Sequence, residues 1–194
     1  MSAVAVPLVR AARLPVAAAV GGAVAGVVGL GVGLRVAMRV VALLNRDAFV
    51  FTENGNVVGE ITLSGTLGVL LAGATGGVVL GLLYGVVRSW LPWSGWRRGT
   101  VYGVLLSAAF GTLLVDSENL DFALLDEDAV AIVLLLASPV LYGTILGALV
   151  DRFEPREPRL LRRRPVRIGG VLLVAAVTAV GLVQLVDAVR EILA

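Results

Sequence analysis

Arg35 and Arg39 stand four residues apart in an apolar stretch, so on a helix two guanidiniums share one face, with Arg46 following. That pairing suits a phosphate or a lipid head group, because guanidinium forks bind such oxyanions bidentately. The plainer reading is that these arginines snorkel to a membrane interface or pair with loop carboxylates. A second cluster is acidic: Asp116, Glu118, Asp121, Asp126, Glu127 and Asp128 follow one another without a cation between them. Divalent-cation binding is the chemistry such residues suggest, yet the run lacks the alternation and the turn glycine of a calcium loop, so no metal site is assigned. The third cluster is Trp90, Trp93 and Trp96 beside Arg88, Arg97 and Arg98. An aromatic cage for a cation is one use of this set, but tryptophans and arginines in a short loop are what the membrane head-group zone selects.

Much other chemistry is missing. The 194 residues include no cysteine and no histidine, which removes disulfides, thiol nucleophiles, imidazole ligands and the commonest general base. No carboxylate falls deep in an apolar run, as proton-coupled pumps and intramembrane hydrolases require. The sequence offers no phosphate-binding loop, nucleophile elbow or cofactor fingerprint, and nothing that points to nucleic acid.

The elements that position these residues follow from composition. Hydrophobic residues make up 58% of the chain and charged residues 15%, and the mean hydropathy is +0.96. The apolar residues fall in blocks of about 20, the length that crosses a hydrocarbon core of ~30 Å as helix. The expected fold is an all-α integral membrane protein, one polytopic domain over residues 1–194. Its five transmembrane helices run over about 16–44, 63–87, 99–115, 129–150 and 168–186. The run from Val16 is too long for the core of a cleaved signal peptide, so it reads as a retained first helix. Between helices one and two, Asn54-Gly55 separates strand-favouring residues, and this pair suits a two-residue type I′ turn. A short extracytoplasmic β-hairpin is therefore expected over about 49–62.

Small residues recur every four positions in three of these helices. Helix two carries Gly73, Gly77, Gly81 and Gly85; helix one carries Ala17, Gly21, Ala25, Gly29, Gly33 and Ala37; helix three carries Gly99, Gly103, Ser107 and Gly111. A Gly-xxx-Gly row lets two membrane helices approach backbone to backbone. The row of helix one is the natural counterpart of the row of helix two. Arg35 and Arg39 lie about 200° around the helix from Gly33 and Ala37, away from that seam. Ser138-Pro139 in helix four predicts a kink, since proline removes a donor and clashes with the preceding turn. Tyr84, Tyr102 and Tyr142 each precede a glycine, which places phenols beside thin helix contacts.

Charge then sets the orientation. With five crossings, the side holding the amino terminus, the tryptophan loop and the linker 151–167 has twelve arginines against three acids, and the other has four against eleven. The positive-inside rule puts the first side in the cytoplasm, with the carboxyl terminus outside, in the inner (plasma) membrane of a prokaryote. The functional expectation is a non-catalytic subunit, assembly or envelope component whose partners are the bilayer and another membrane protein, without a cofactor. A small channel or transporter is the first alternative. The second is a lipid-binding or lipid-modifying protein using the outward arginines and acids.

Overall fold

The computed structural model describes residues 5–44, 62–113, 128–154 and 164–192. These residues are helical almost throughout. A first rod is built from α1 (Ala5–Ala25), a π-helical segment (Gly26–Val32) and α2 (Gly33–Leu44). It is followed by α3 (Leu63–Val87), α4 (Gly95–Phe110) with a 3₁₀ turn (Gly111–Leu113), α5 (Asp128–Phe153) and α6 (Arg164–Ile192). Four of these five rods are long and apolar enough to cross a membrane.

Two expectations need correction. Four described helices rather than the expected five are long and apolar enough to cross a membrane, because α4 is only 16 residues long and its first turn carries Arg97 and Arg98. At 1.5 Å per residue it reaches about 24 Å, short of a hydrocarbon core of ~30 Å. The β-hairpin is also withdrawn, since no strand occurs among the described residues and 49–61 lie outside them. Thr62, placed in the second strand, instead caps α3. Its Oγ1 accepts from Gly65 N at 3.2 Å, and the Thr66 hydroxyl donates to the Thr62 carbonyl at 2.7 Å.

Two helix pairs make the closest contacts. In one, α1 meets α3 through Ala18, Gly22 and Gly26 set against Gly73, Gly77 and Gly81; a Cβ on Gly77 would lie 2.3 Å from the Gly22 carbonyl oxygen. The row of α1 that meets α3 is thus one residue out of step with Gly21, Gly29 and Gly33. Those three glycines face α5 instead, against Val150, Tyr142 and Ser138. Beyond Gly26 the contact with this flank of α3 passes to Gly31, which sits against Leu70, five positions on rather than four. The π-helical segment supplies that step: one extra residue per turn re-aims the face without breaking the helix.

The second pair is α4 on α5. Gly99 lies against Gly143 and Gly147, and Gly103 against Pro139 and Val140. Ser107 donates to the Leu136 carbonyl at 2.8 Å, and Thr100 and Thr144 hydroxyls are 2.9 Å apart. Helix α5 runs on through Pro139. In the turn that proline leaves short of a donor, Ser138 Oγ donates to the Leu134 carbonyl at 3.3 Å, with the Ser107 bond one position beyond the orphaned Leu135.

The tyrosines join the two pairs. Tyr142 donates to the Gly77 carbonyl at 2.8 Å and Tyr102 to the Leu80 carbonyl at 2.7 Å, both on α3, while the Tyr84 and Tyr102 rings lie 5.1 Å apart. With Ala25, Leu106, Leu146 and Val150 they form the buried centre. Tyr142→Phe is expected to lower stability by about 0.5 to 1 kcal/mol, since the Gly77 carbonyl keeps its helical partner. Thermal unfolding in detergent checks this, and a loss of several degrees beyond that of a neutral surface change would mean the hydroxyl does more than tie α5 to α3. Helix α6 leans on the outside, held at Gly170 by Trp90, at Gly181 by Ala108 and Ala109, and at Leu185 by Gly111.

Candidate functional site

The charged cluster best built into the fold lies at the end where α3 stops, α4 starts and α5 stops. Helix α3 closes with the Arg88 amide donating to the Tyr84 carbonyl at 2.8 Å, and Trp90 N–H donates to the Val87 carbonyl at 2.9 Å. The turn then passes through two left-handed residues, Trp93 at φ 62° and Gly95 at φ 59°. Glycine adopts that conformation freely, whereas for tryptophan it is strained, so surrounding bonds must hold it.

Asp151, in the last turn of α5, and Arg98 supply those bonds. The Ser94 side chain does not cap α4; instead the Gly95 amide donates to Asp151 Oδ2. A carboxylate at the positive end of a helix dipole is favourable, so α5 provides the cap that α4 lacks in its own sequence. Arg98 Nη1 lies 3.6 Å from the same oxygen, and Arg98 Nε donates to the strained Trp93 carbonyl at 2.9 Å. Arg88 completes the arrangement. Its Nη2 stands 3.1 Å from Asp151 Oδ1 and donates to the Glu154 carbonyl at 2.9 Å, at the carboxyl-terminal end of α5. The N–H is aligned with the carbonyl, so its contact with the carboxylate is an ion pair rather than a second aligned hydrogen bond. Each helix end is thereby capped by its neighbour: α4 by Asp151, α5 by Arg88.

The Arg88 side chain is 0% exposed and that of Arg98 9%, against 12% for Asp151. Two buried guanidiniums share one carboxylate. This set holds charge and orders a turn. Sequence reasoning placed Arg88 and Arg98 among interfacial cations and Asp151 at the head of a linker, and so missed the cluster. One signal was present: Asp151 is the first acid after an apolar helix, on the side where all other short segments carry arginine.

The residues singled out from sequence fall elsewhere. Arg35 is half-buried with a guanidinium nitrogen close to Gly65 at the opposite end, Arg39 is exposed, and both are engaged by neighbouring groups. Arg46 lies outside the described residues, as do Asp116, Glu118, Asp121, Asp126 and Glu127; Asp128 opens α5. Gly85 packs on Ala18 and Leu14, and Gly111 on Leu185 and Leu136. Trp93 and Trp96 are exposed, with the Arg97 guanidinium 5.4 Å from the Trp96 ring centroid. Trp90 is half-buried, its ring resting on Gly170 of α6.

A match over residues 12–161, described as a family of unknown function (DUF6789), takes in more than three quarters of the chain. The chain belongs to this family. The matched stretch contains Arg88, Arg98 and Asp151 and both glycine-packed helix pairs, and it ends before α6 begins. Comparison with curated proteins and with solved structures finds no match.

Proposed function

We propose that the chain is a non-catalytic component of the inner membrane, a subunit, assembly or envelope protein that works through its surfaces. The filled interior carries this reading. Tyr84, Tyr142, Leu146 and Val150 are completely buried where the two helix pairs meet, and within each pair backbone touches backbone. The hydroxyls of Ser107, Ser138, Thr144, Tyr102 and Tyr142 all donate to helix carbonyls, which leaves them committed to packing. In this reading the glycine rows act as a zipper and the three tryptophans anchor the chain in the head groups.

The arginine-rich end, with Arg88, Arg97, Arg98, Arg152 and Arg167, faces the cytoplasm by the positive-inside rule. The described part of α1 around Leu14 lies at that end, since Leu14 packs near Gly85 at the close of α3, which supports a cytoplasmic amino terminus. In this reading α4 with its 3₁₀ turn, though short for a span by itself, carries the chain from Gly95 at that end to Gly111 at the other, and α6 runs the same way from Trp90 to Gly111, which supports an extracytoplasmic carboxyl terminus. A carboxyl-terminal alkaline phosphatase fusion should then be active; an inactive fusion made in normal amounts would reverse the orientation.

Purified protein in liposomes should pass potassium ions and protons no faster than empty vesicles, and crosslinking in native membranes should trap a complex of defined size. Flux above the empty-vesicle level would replace this reading with a channel or transporter, and an exclusively monomeric chain would remove the subunit role.

A further inference from the structure

The turn between α3 and α4 carries more buried donors than the described residues satisfy. Arg88 Nε and Nη1, Ser89 Oγ and Trp90 Nε1 are all shielded from solvent without a hydrogen-bond partner among those residues. Arg88 is 0% exposed and Ser89 7%. All four atoms donate readily, three of them can do nothing else, and the charge around them has the same sense. Arg97, Arg98, Arg152 and Arg167 stand at this end against Asp151 and Glu154, and Asp151 is already shared between two guanidiniums. Donors crowded under a cationic surface call for an anionic acceptor with several oxygens. A buried donor left without one costs more than the hydrogen bond it would make is worth.

The position narrows the acceptor. The apolar spans of α3, α5 and α6 begin or end at Val87, Phe153 and Pro165, so the turn sits at head-group depth. Basic recesses between membrane helices at this level suit phosphate head groups. Beside the donors, Gly170 in the second turn of α6 rests on the Trp90 ring, and the residues before it, 165–169, are exposed.

We propose that Arg88, Ser89 and Trp90 form a binding site for a phosphate-bearing anion, entered from the lipid side between the α3–α4 turn and the start of α6. The acceptor oxygens take the Arg88 Nε and Nη1, Ser89 Oγ and Trp90 Nε1 protons while Asp151 keeps Nη2 in place. This site lies at the opposite end from Arg35 and Arg39 and does not depend on the scaffold role.

The full-length protein in neutral detergent is titrated with phosphatidylglycerol, with phosphatidylcholine and with inorganic phosphate, reading the unfolding midpoint and the lipid retained in native mass spectrometry. Phosphatidylglycerol should raise the midpoint and remain bound as one molecule, and phosphatidylcholine should do neither. Ser89→Ala and Trp90→Phe keep the fold, shown by an unchanged midpoint without lipid, and each should weaken binding about tenfold by removing one donor to a charged acceptor. Arg97→Ala, which removes an exposed charge, should leave affinity within about twofold. A midpoint raised by inorganic phosphate alone, and lost in Trp90→Phe, supports the same site with free phosphate as its ligand. The proposal is overturned if neither anion acts, if both donor variants bind like the parent, or if Arg97→Ala weakens binding as much as they do.

Discussion

Replacing Gly77 with alanine is expected to destabilise the protein by more than about 2 kcal/mol, while the same change at Gly76 stabilises it by about 0.5 kcal/mol. The two glycines are adjacent on one helix but face different neighbours. A Cβ on Gly77 would stand 2.3 Å from the Gly22 carbonyl oxygen and 2.7 Å from Gly26 Cα, both backbone atoms that no rotamer change can move. A Cβ on Gly76 would meet nothing within 4 Å. To accommodate Gly77→Ala, α1 and α3 must separate by about an ångström, and packing is lost along the whole seam from Ala18 to Gly31. Gly76→Ala gains only helix propensity. Gly143→Ala tests the same logic in the second pair, where the added carbon would approach Gly99 O and Gly103 N within 2.6 Å. Unfolding midpoints in one detergent decide the matter: equal midpoints for the Gly76 and Gly77 variants would sink backbone contact as the basis of the pair.

The glycine rows explain both what the sequence made legible and what it concealed. A period of four in α3 marks the face that meets α1, because α3 is regular over its whole length from Leu63 to Val87. In the first rod the same period marks two different faces. Gly22 and Gly26 look toward α3, Gly21 and Gly29 toward α5, and beyond Gly26 the π-helical segment passes the α3 contact to Gly31. A one-residue offset turns a helix by about 100°, and composition does not choose between two small-residue rows so close together. The partner of α4 was hidden for a similar reason. Its row Gly99, Gly103, Ser107 and Gly111 is evident, but the matching face of α5 carries glycine only at Gly143 and Gly147, with Pro139 and Val140 continuing it. Apolarity alone also overstated the apolar length of α4, since its amino-terminal turn is taken up by arginines beside Asp151 and Trp96.

The charged cluster was less legible because Asp151 stands 63 and 53 positions after Arg88 and Arg98 and each member has an ordinary explanation by itself. An arginine ending a membrane helix reads as an orientation signal, and so does one in a tryptophan-rich loop. Only the fold brings Arg88, Arg98 and Asp151 together, and burial gives the grouping its energetic weight. The pairing is specific in chain position as well as charge: Arg97 and Arg152, next to cluster members, are exposed.

Asp151→Ala is expected to cost about 3 to 5 kcal/mol, the range for removing one partner of a buried ion pair. The loss has three sources that act together. Arg88, with no exposed surface, keeps the Glu154 carbonyl alone among the described residues; Arg98 loses its nearby carboxylate; and the amino terminus of α4 loses its cap at Gly95. Asp151→Asn separates them, because an amide oxygen still accepts from Gly95 N but brings no charge, so it should recover about 1 kcal/mol of the loss. The double variant Arg88→Met with Asp151→Leu removes the stranded guanidinium along with its partner and should lie closer to the parent than Asp151→Ala does. Unfolding midpoints in detergent and protease cleavage between Trp90 and Trp96 report the two levels of damage, global stability and order in the turn. If Asp151→Ala unfolds like the parent and its turn stays uncut, the carboxylate does not hold the end of the bundle, and the strained Trp93 must be supported by the Arg98 bond to its carbonyl alone.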